Sequence, residues 1–237
     1  MNKRGHINLK TLKETLFTPF SYNEEKVSYG KTIGLIALFL VAQTLLFFVA
    51  GMFNLDLTWS NLLVSVLSLV LLWGGMKRAG YELPSIKKIK KEEVLYALGM
   101  FVTMNIVLIL YNTVVMNLGL IQGEAENQEI LIALSQQIPP YVTVLIMGII
   151  PPIAEELVFR QLLIKYGLGK WPFIGLIVSA LIFGGLHQAR NVFEFLQYAI
   201  MGAMLSYTFL RTRKIETSIM VHLFNNLYAV AMMLLFT

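Results

Sequence analysis

Glu155-Glu156-Leu157-Val158-Phe159-Arg160 places three ionisable side chains inside a stretch otherwise apolar enough to cross a bilayer. A charged side chain at the centre of an inserted helix costs roughly 2.5–3.5 kcal/mol, so such residues persist where they pair, line a wet cavity or do chemistry. His187 and His222 fall in two later apolar segments. On a helix, residues four apart share a face, so Glu156 and Arg160 can form an internal pair. Glu155 projects about 100° away from Glu156, with no local counter-charge. An unpaired carboxylate in a poorly solvated site is a usable general base if water reaches it. His222 and Asn226 are also four apart and present an imidazole and an amide on one face, with Asn225 close enough that spacing does not exclude it. Glu155 with His187, facing donors from His222 and Asn226, is the set needed to activate water and stabilise a tetrahedral oxyanion. The implied chemistry is amide hydrolysis.

The elements that must position these residues are membrane helices. The chain has 237 residues, 57% hydrophobic and 14% charged, with a mean hydropathy of +0.67, against about 25% charged in a soluble domain. The expected fold is all-α, a polytopic transmembrane bundle with its active site inside the membrane. Apolar runs occupy 31–53, 57–76, 94–120, 141–165, 171–187, 192–210 and 215–236, about seven spans. Pro151-Pro152 predicts a kink or break just before Glu155, because proline lacks the backbone donor and clashes with the preceding turn. Segment 1–30 reads as a cytoplasmic N-terminal region without the apolar core of a signal peptide. Its Leu9, Leu12, Leu16, Phe17 and Phe20 suit either an interfacial helix or a solvated tail. Residues 31–237 form the membrane domain, with the chemistry in 141–236.

Loop charge sets the expected orientation. All but Arg160 and Arg190 of the 19 Lys and Arg fall on one side of this scheme, while Asp56, Glu124, Glu126 and Glu129 fall on the other. This predicts a multi-pass protein of the cell membrane with a cytoplasmic N-terminus and an external Thr237. The formal charge of +5 is then a property of loops and does not call for nucleic acid. The chain has no cysteine, so disulfides, thiolate metal sites and a cysteine nucleophile are absent.

The three motifs EELVFR, FGGLH and HLFNN, in this order and in separate apolar segments, resemble the EExxxR, FxxxH and HxxxN signatures of the CAAX-protease and bacteriocin-processing (Abi) family of intramembrane glutamic endopeptidases. The resemblance covers roughly 141–236. It implies that Glu155 and His187 activate water, that His222 and Asn226 stabilise the oxyanion, and that Glu156 and Arg160 support the site. It also implies no cofactor or metal, and a membrane-associated peptide or protein substrate of prenylated or bacteriocin type, in a bacterial plasma membrane. The rival readings are a metalloprotease, which lacks an HExxH pair here, a non-catalytic immunity or regulatory protein, and a proton-coupled transporter. Counting residues places Glu155 in the inner half of its span and His187 in the outer half of the next. That separation is too great to share a water unless the prolines or the fifth span's boundaries shift it.

Overall fold

The computed structural model describes residues 9–22, 28–123 and 125–236, and among them the regular structure is helical. His6, Glu24, Glu25, Glu124 and Thr237 lie outside the described residues. Helix α1 (Leu9–Phe17) precedes two long apolar helices, α2 (Tyr29–Met52) and α3 (Leu57–Arg78). Ser28 caps α2 by accepting from the Lys31 N–H, and Asp56 caps α3 from Trp59 N–H at 2.9 Å, each satisfying a donor that the first helical turn leaves open. A loop with one short turn leads to α4 (Lys91–Asn117), followed by the ten-residue α5 (Glu126–Ser135). The central helix α6 runs Pro140–Gly167, then come α7 (Pro172–Gly185), α8 (Val192–Thr212) and α9 (Ile215–Phe236).

Burial separates the centre from the rim. In its most apolar stretch α6 is 61% buried, whereas α2 is 18% and α4 11% buried. The exposed faces of α2 and α4 carry Leu38, Val41, Leu45, Val102, Ile106 and Ile109, an apolar surface of the kind that lipid covers. Around α6, α7 and α8 pack most closely. A Cβ on Gly184 would lie 2.9 Å from the Phe195 carbonyl, and one on Gly202 would lie 3.0 Å from the Phe183 Cβ. The two glycines therefore set the spacing of these helices.

Five helices among the described residues, α2, α3, α4, α6 and α9, are long and apolar enough to cross a membrane. The chain is a multi-pass membrane protein. Of the about seven spans expected, these five meet the length and composition of a crossing, and α7 and α8 do not meet both. α7 has only 14 residues, and α8, though 21 residues long, carries Glu194, Gln197 and Arg211, which lower its hydropathy. α5 was read as part of a loop, because ten residues beginning Glu-Asn-Gln give little apolar signal.

Charged residues gather at opposite ends of the bundle. At one end the loop after α3 is strapped down. Gln161 Nε2 donates to the Glu82 carbonyl at 2.9 Å, Lys165 pairs with Glu82, Ser85 N–H donates to Glu216, and Lys214 pairs with Glu93. α1 lies at this end as well, with Phe20 stacked on Phe209 and the Arg213 guanidinium 4.3 Å above the Phe20 ring. At the other end Arg190 joins Glu129 and Glu194, each at 3.2 Å. These carboxylates, Glu129 foremost, raise its pKa above the ordinary guanidinium value.

Candidate active site

The centre of the site is the Glu156 carboxylate, fully buried on α6. An anion in such surroundings needs its lone pairs filled, and two helices contribute. Arg160, one turn along α6, lies 3.1 Å from Oε1. Ser218 on α9 donates to Oε2 at 2.5 Å, and His222, one turn further along α9, meets Oε1 through Nδ1 at 3.0 Å. Arg160 in turn donates to the Gly202 carbonyl on α8 at 2.9 Å, and its guanidinium lies 5.0 Å from the Phe183 ring centroid on α7. The i, i+4 pair expected from spacing is present, and it bolts α6 to α7, α8 and α9.

Glu155 stands apart from this network. Its side chain is partly exposed, Oε2 lies 3.8 Å from His222 Nε2, and that buried oxygen has no hydrogen-bond partner among the described residues. The carboxyl borders a cavity of about 540 Å³ that His187, His222, Asn225, Asn226 and Tyr198 also line. His187 follows the C-terminus of α7, where Nδ1 meets the Phe183 carbonyl at 2.6 Å. Its ring stacks on Tyr198 with centroids 4.4 Å apart and planes 17° from parallel.

The partners fix which ring nitrogens carry hydrogen. A carbonyl can only accept, so His187 Nδ1 is the donor and Nε2 of the neutral ring is a free acceptor. The Glu156 carboxylate, already facing Arg160, can likewise only accept from His222 Nδ1. His222 therefore donates from Nε2 only when both nitrogens carry hydrogen.

The feared separation of Glu155 and His187 does not arise, since both border one cavity. Glu155 lies about 18 Å before the end of α6 and the last residue of α7 about 20 Å beyond its start. Because α6 and α7 join through a short turn at 168–171, both arrive at similar depth. The sequence count failed because it set each residue against a full-length span, whereas α7 has only 14 residues. Asn226 borders the cavity, but its Nδ2 donates to the Met147 carbonyl at 3.0 Å. Asn225 is held by Asn105, which donates to Oδ1 at 3.3 Å.

Ser218 and Tyr198 were missed in the sequence. Ser218 lies four residues before His222 and could have been found by the same spacing that linked His222 to Asn226. Tyr198 reaches His187 only through the packing of α8 on α7, which leaves no local signal. Among the described residues, no three His, Asp or Glu side chains are grouped to hold a metal ion.

Residues 137–228 match the family described as Type II CAAX prenyl endopeptidase Rce1-like. That segment is less than half of the chain. The matched segment contains all seven motif residues, from Glu155 to Asn226. Among curated proteins, the chain is 32% identical over 113 residues to "Putative membrane peptidase YdiL" of Bacillus subtilis (strain 168), covering 47% of this chain and 44% of that protein. It is 30% identical over 103 residues to "UPF0177 protein YbdI" of Lactococcus lactis subsp. lactis (strain IL1403), covering 44% of this chain and 53% of that protein. The chain thus spans about half the length of the curated relatives it matches. No solved structure matches it significantly. The Rce1-like segment begins just before α6 and ends within α9, so α1 to α5 stand outside it.

Proposed function

We propose that this chain is an intramembrane endopeptidase of the glutamic type, acting in the cell membrane with its N-terminus cytoplasmic. The observation that carries the reading is the unpartnered Glu155 carboxylate oxygen at a cavity shared with two histidines whose Nδ1 atoms are already committed. Glu155 and the free Nε2 of His187 take the proton of a water, whose oxygen attacks the scissile carbonyl carbon. The resulting oxyanion accepts a hydrogen bond from Nε2 of a doubly protonated His222. The proton taken from water passes to the amide nitrogen, the C–N bond breaks, and the carbonyl re-forms as a carboxyl.

Asn226 commits one amide N–H to the Met147 carbonyl and has a second N–H at the cavity it lines, so His222 and Asn226 are the oxyanion donors proposed here. Glu156 and Arg160 hold His222 and the surrounding helices in place. The substrate class proposed is a peptide or protein anchored at the membrane, of prenylated type, which the Rce1-like match supports, or of bacteriocin type, which rests on the motif resemblance.

The test is a peptidase assay of the purified protein in detergent against a library of membrane-anchored peptides, run beside Glu155→Gln. Cleavage by the wild type that disappears in the variant is the expected result. Cleavage that persists at wild-type rate in Glu155→Gln, or a wild type inert toward every anchored peptide, defeats the reading.

A further inference from the structure

Pro151 and Pro152 leave the Met147 carbonyl of α6 without a helical partner. α6 is π-helical over Val144–Ile149 and α-helical over Ile150–Glu156. In an α-helix the Met147 carbonyl would accept from residue 151 and in a π-helix from residue 152, but both are prolines and carry no N–H. The remaining helical donor, the Ile150 N–H, is committed to the Leu145 carbonyl. Met147 is buried, and a buried carbonyl left without a donor costs as much as a lost hydrogen bond. Asn226 Nδ2, on α9, fills that position at 3.0 Å. Turning the amide over would set oxygen against oxygen, so the donor end must face Met147.

We infer that Asn226 is a positioning residue whose amide replaces the backbone donor that the prolines delete, and so holds the helical turn that carries Glu155. Ile150–Glu156 begins at this break, and its direction determines where Glu155 lies relative to His187 and His222. The π segment frees the chain to re-aim that turn, and Asn226 fixes one outcome. The inference rests on the Glu155 reading for its link to activity but not for its link to structure.

The two links are separated by combining Asn226→Ala with Pro151→Ala, which returns an N–H to the position from which an α-helix serves Met147. Melting temperature in detergent is read first, since it needs no substrate. Asn226→Ala is expected to melt several degrees lower, and the double variant to regain most of that loss. In the peptidase assay Asn226→Ala is expected to lower kcat roughly tenfold with little change in KM, and the double variant to recover several-fold. If Asn226 served only as an oxyanion donor, Pro151→Ala would restore neither quantity, and an additive pair of melting shifts overturns the inference. A wild type without peptidase activity would end the proposed function while leaving the melting cycle decisive for the brace. If Asn226→Ala alone cannot be recovered folded, recovery of the double variant supports the brace and failure of both overturns it.

Discussion

Glu155 and Glu156 share a backbone and differ in what surrounds their oxygens. Glu156 is enclosed by Arg160, Ser218 and His222, whereas Glu155 has an oxygen without a hydrogen-bond partner among the described residues. The two therefore answer differently to the same isosteric change. Glu155→Gln is expected to cut turnover by about 10²–10⁴-fold, the usual worth of a positioned general base, with its melting curve close to wild type. A melting point several degrees lower would mean that Glu155 carries structure instead. Tyr198 supplies a second contrast, because its ring face orients His187 while its hydroxyl accepts from Asn127 at 3.4 Å. Tyr198→Phe should keep kcat near wild type and Tyr198→Leu should lower it, and equal loss in both would assign the role to the hydroxyl. Since Glu155 and His187 polarise water themselves in this scheme, exhaustive chelation is expected to leave activity unchanged. Loss on chelation with recovery on adding zinc would restore the metalloprotease reading.

Helices α6 and α9 hold the site together, and the Glu156–Arg160 pair is their main bolt. Removing one partner strands the other charge where both side chains are fully buried, a change worth about 3–5 kcal/mol. Glu156→Gln or Arg160→Met should melt well below wild type, and the combined Glu156→Leu/Arg160→Leu should regain part of the loss. Recovery will be incomplete, because Ser218 and His222 then lose their acceptor. Single variants that melt like wild type would contradict the burial seen here. This pair, the two histidines and the kink at Pro151-Pro152 were legible because they depend on local spacing or on the chemistry of one residue type. α9 was legible as an apolar run ending at Phe236, as the structure has it. The length of α7, the existence of α5 and the target of Asn226 were not. α7 stops at Gly185 because His187 must reach the cavity, α5 is too short and polar to declare itself, and the Met147 carbonyl becomes a ligand only once α9 lies against α6.

Across the whole molecule the ends differ in charge. The strapped end gathers Lys165 on Glu82, Lys214 on Glu93 and Arg213 on the Thr15 and Thr18 carbonyls, while the opposite end holds Glu126, Glu129 and Glu194 around Arg190. Positive residues are retained in the cytoplasm, so Ile86 and Gln122, both exposed, should lie on opposite sides. In a chain that has no cysteine, Gln122→Cys is expected to react with a membrane-impermeant thiol reagent in intact cells and Ile86→Cys only after lysis. The reverse pattern would invert the protein and move the cavity's mouth to the other face.

The order in which a chain is made gives the buried carboxylate a history. α6 leaves the ribosome before α8 and α9, so Glu156 meets the translocon when neither the Ser218 hydroxyl nor the His222 ring has been synthesised. Arg160, one turn away on the same helix, is the counter-ion available from the first moment. A cation supplied from a later helix could reproduce the finished geometry, yet it would leave α6 to enter lipid with a bare negative charge. Placing both charges on one helix makes the segment insertable on its own, and the later helices then assemble around an ion pair already in the bilayer.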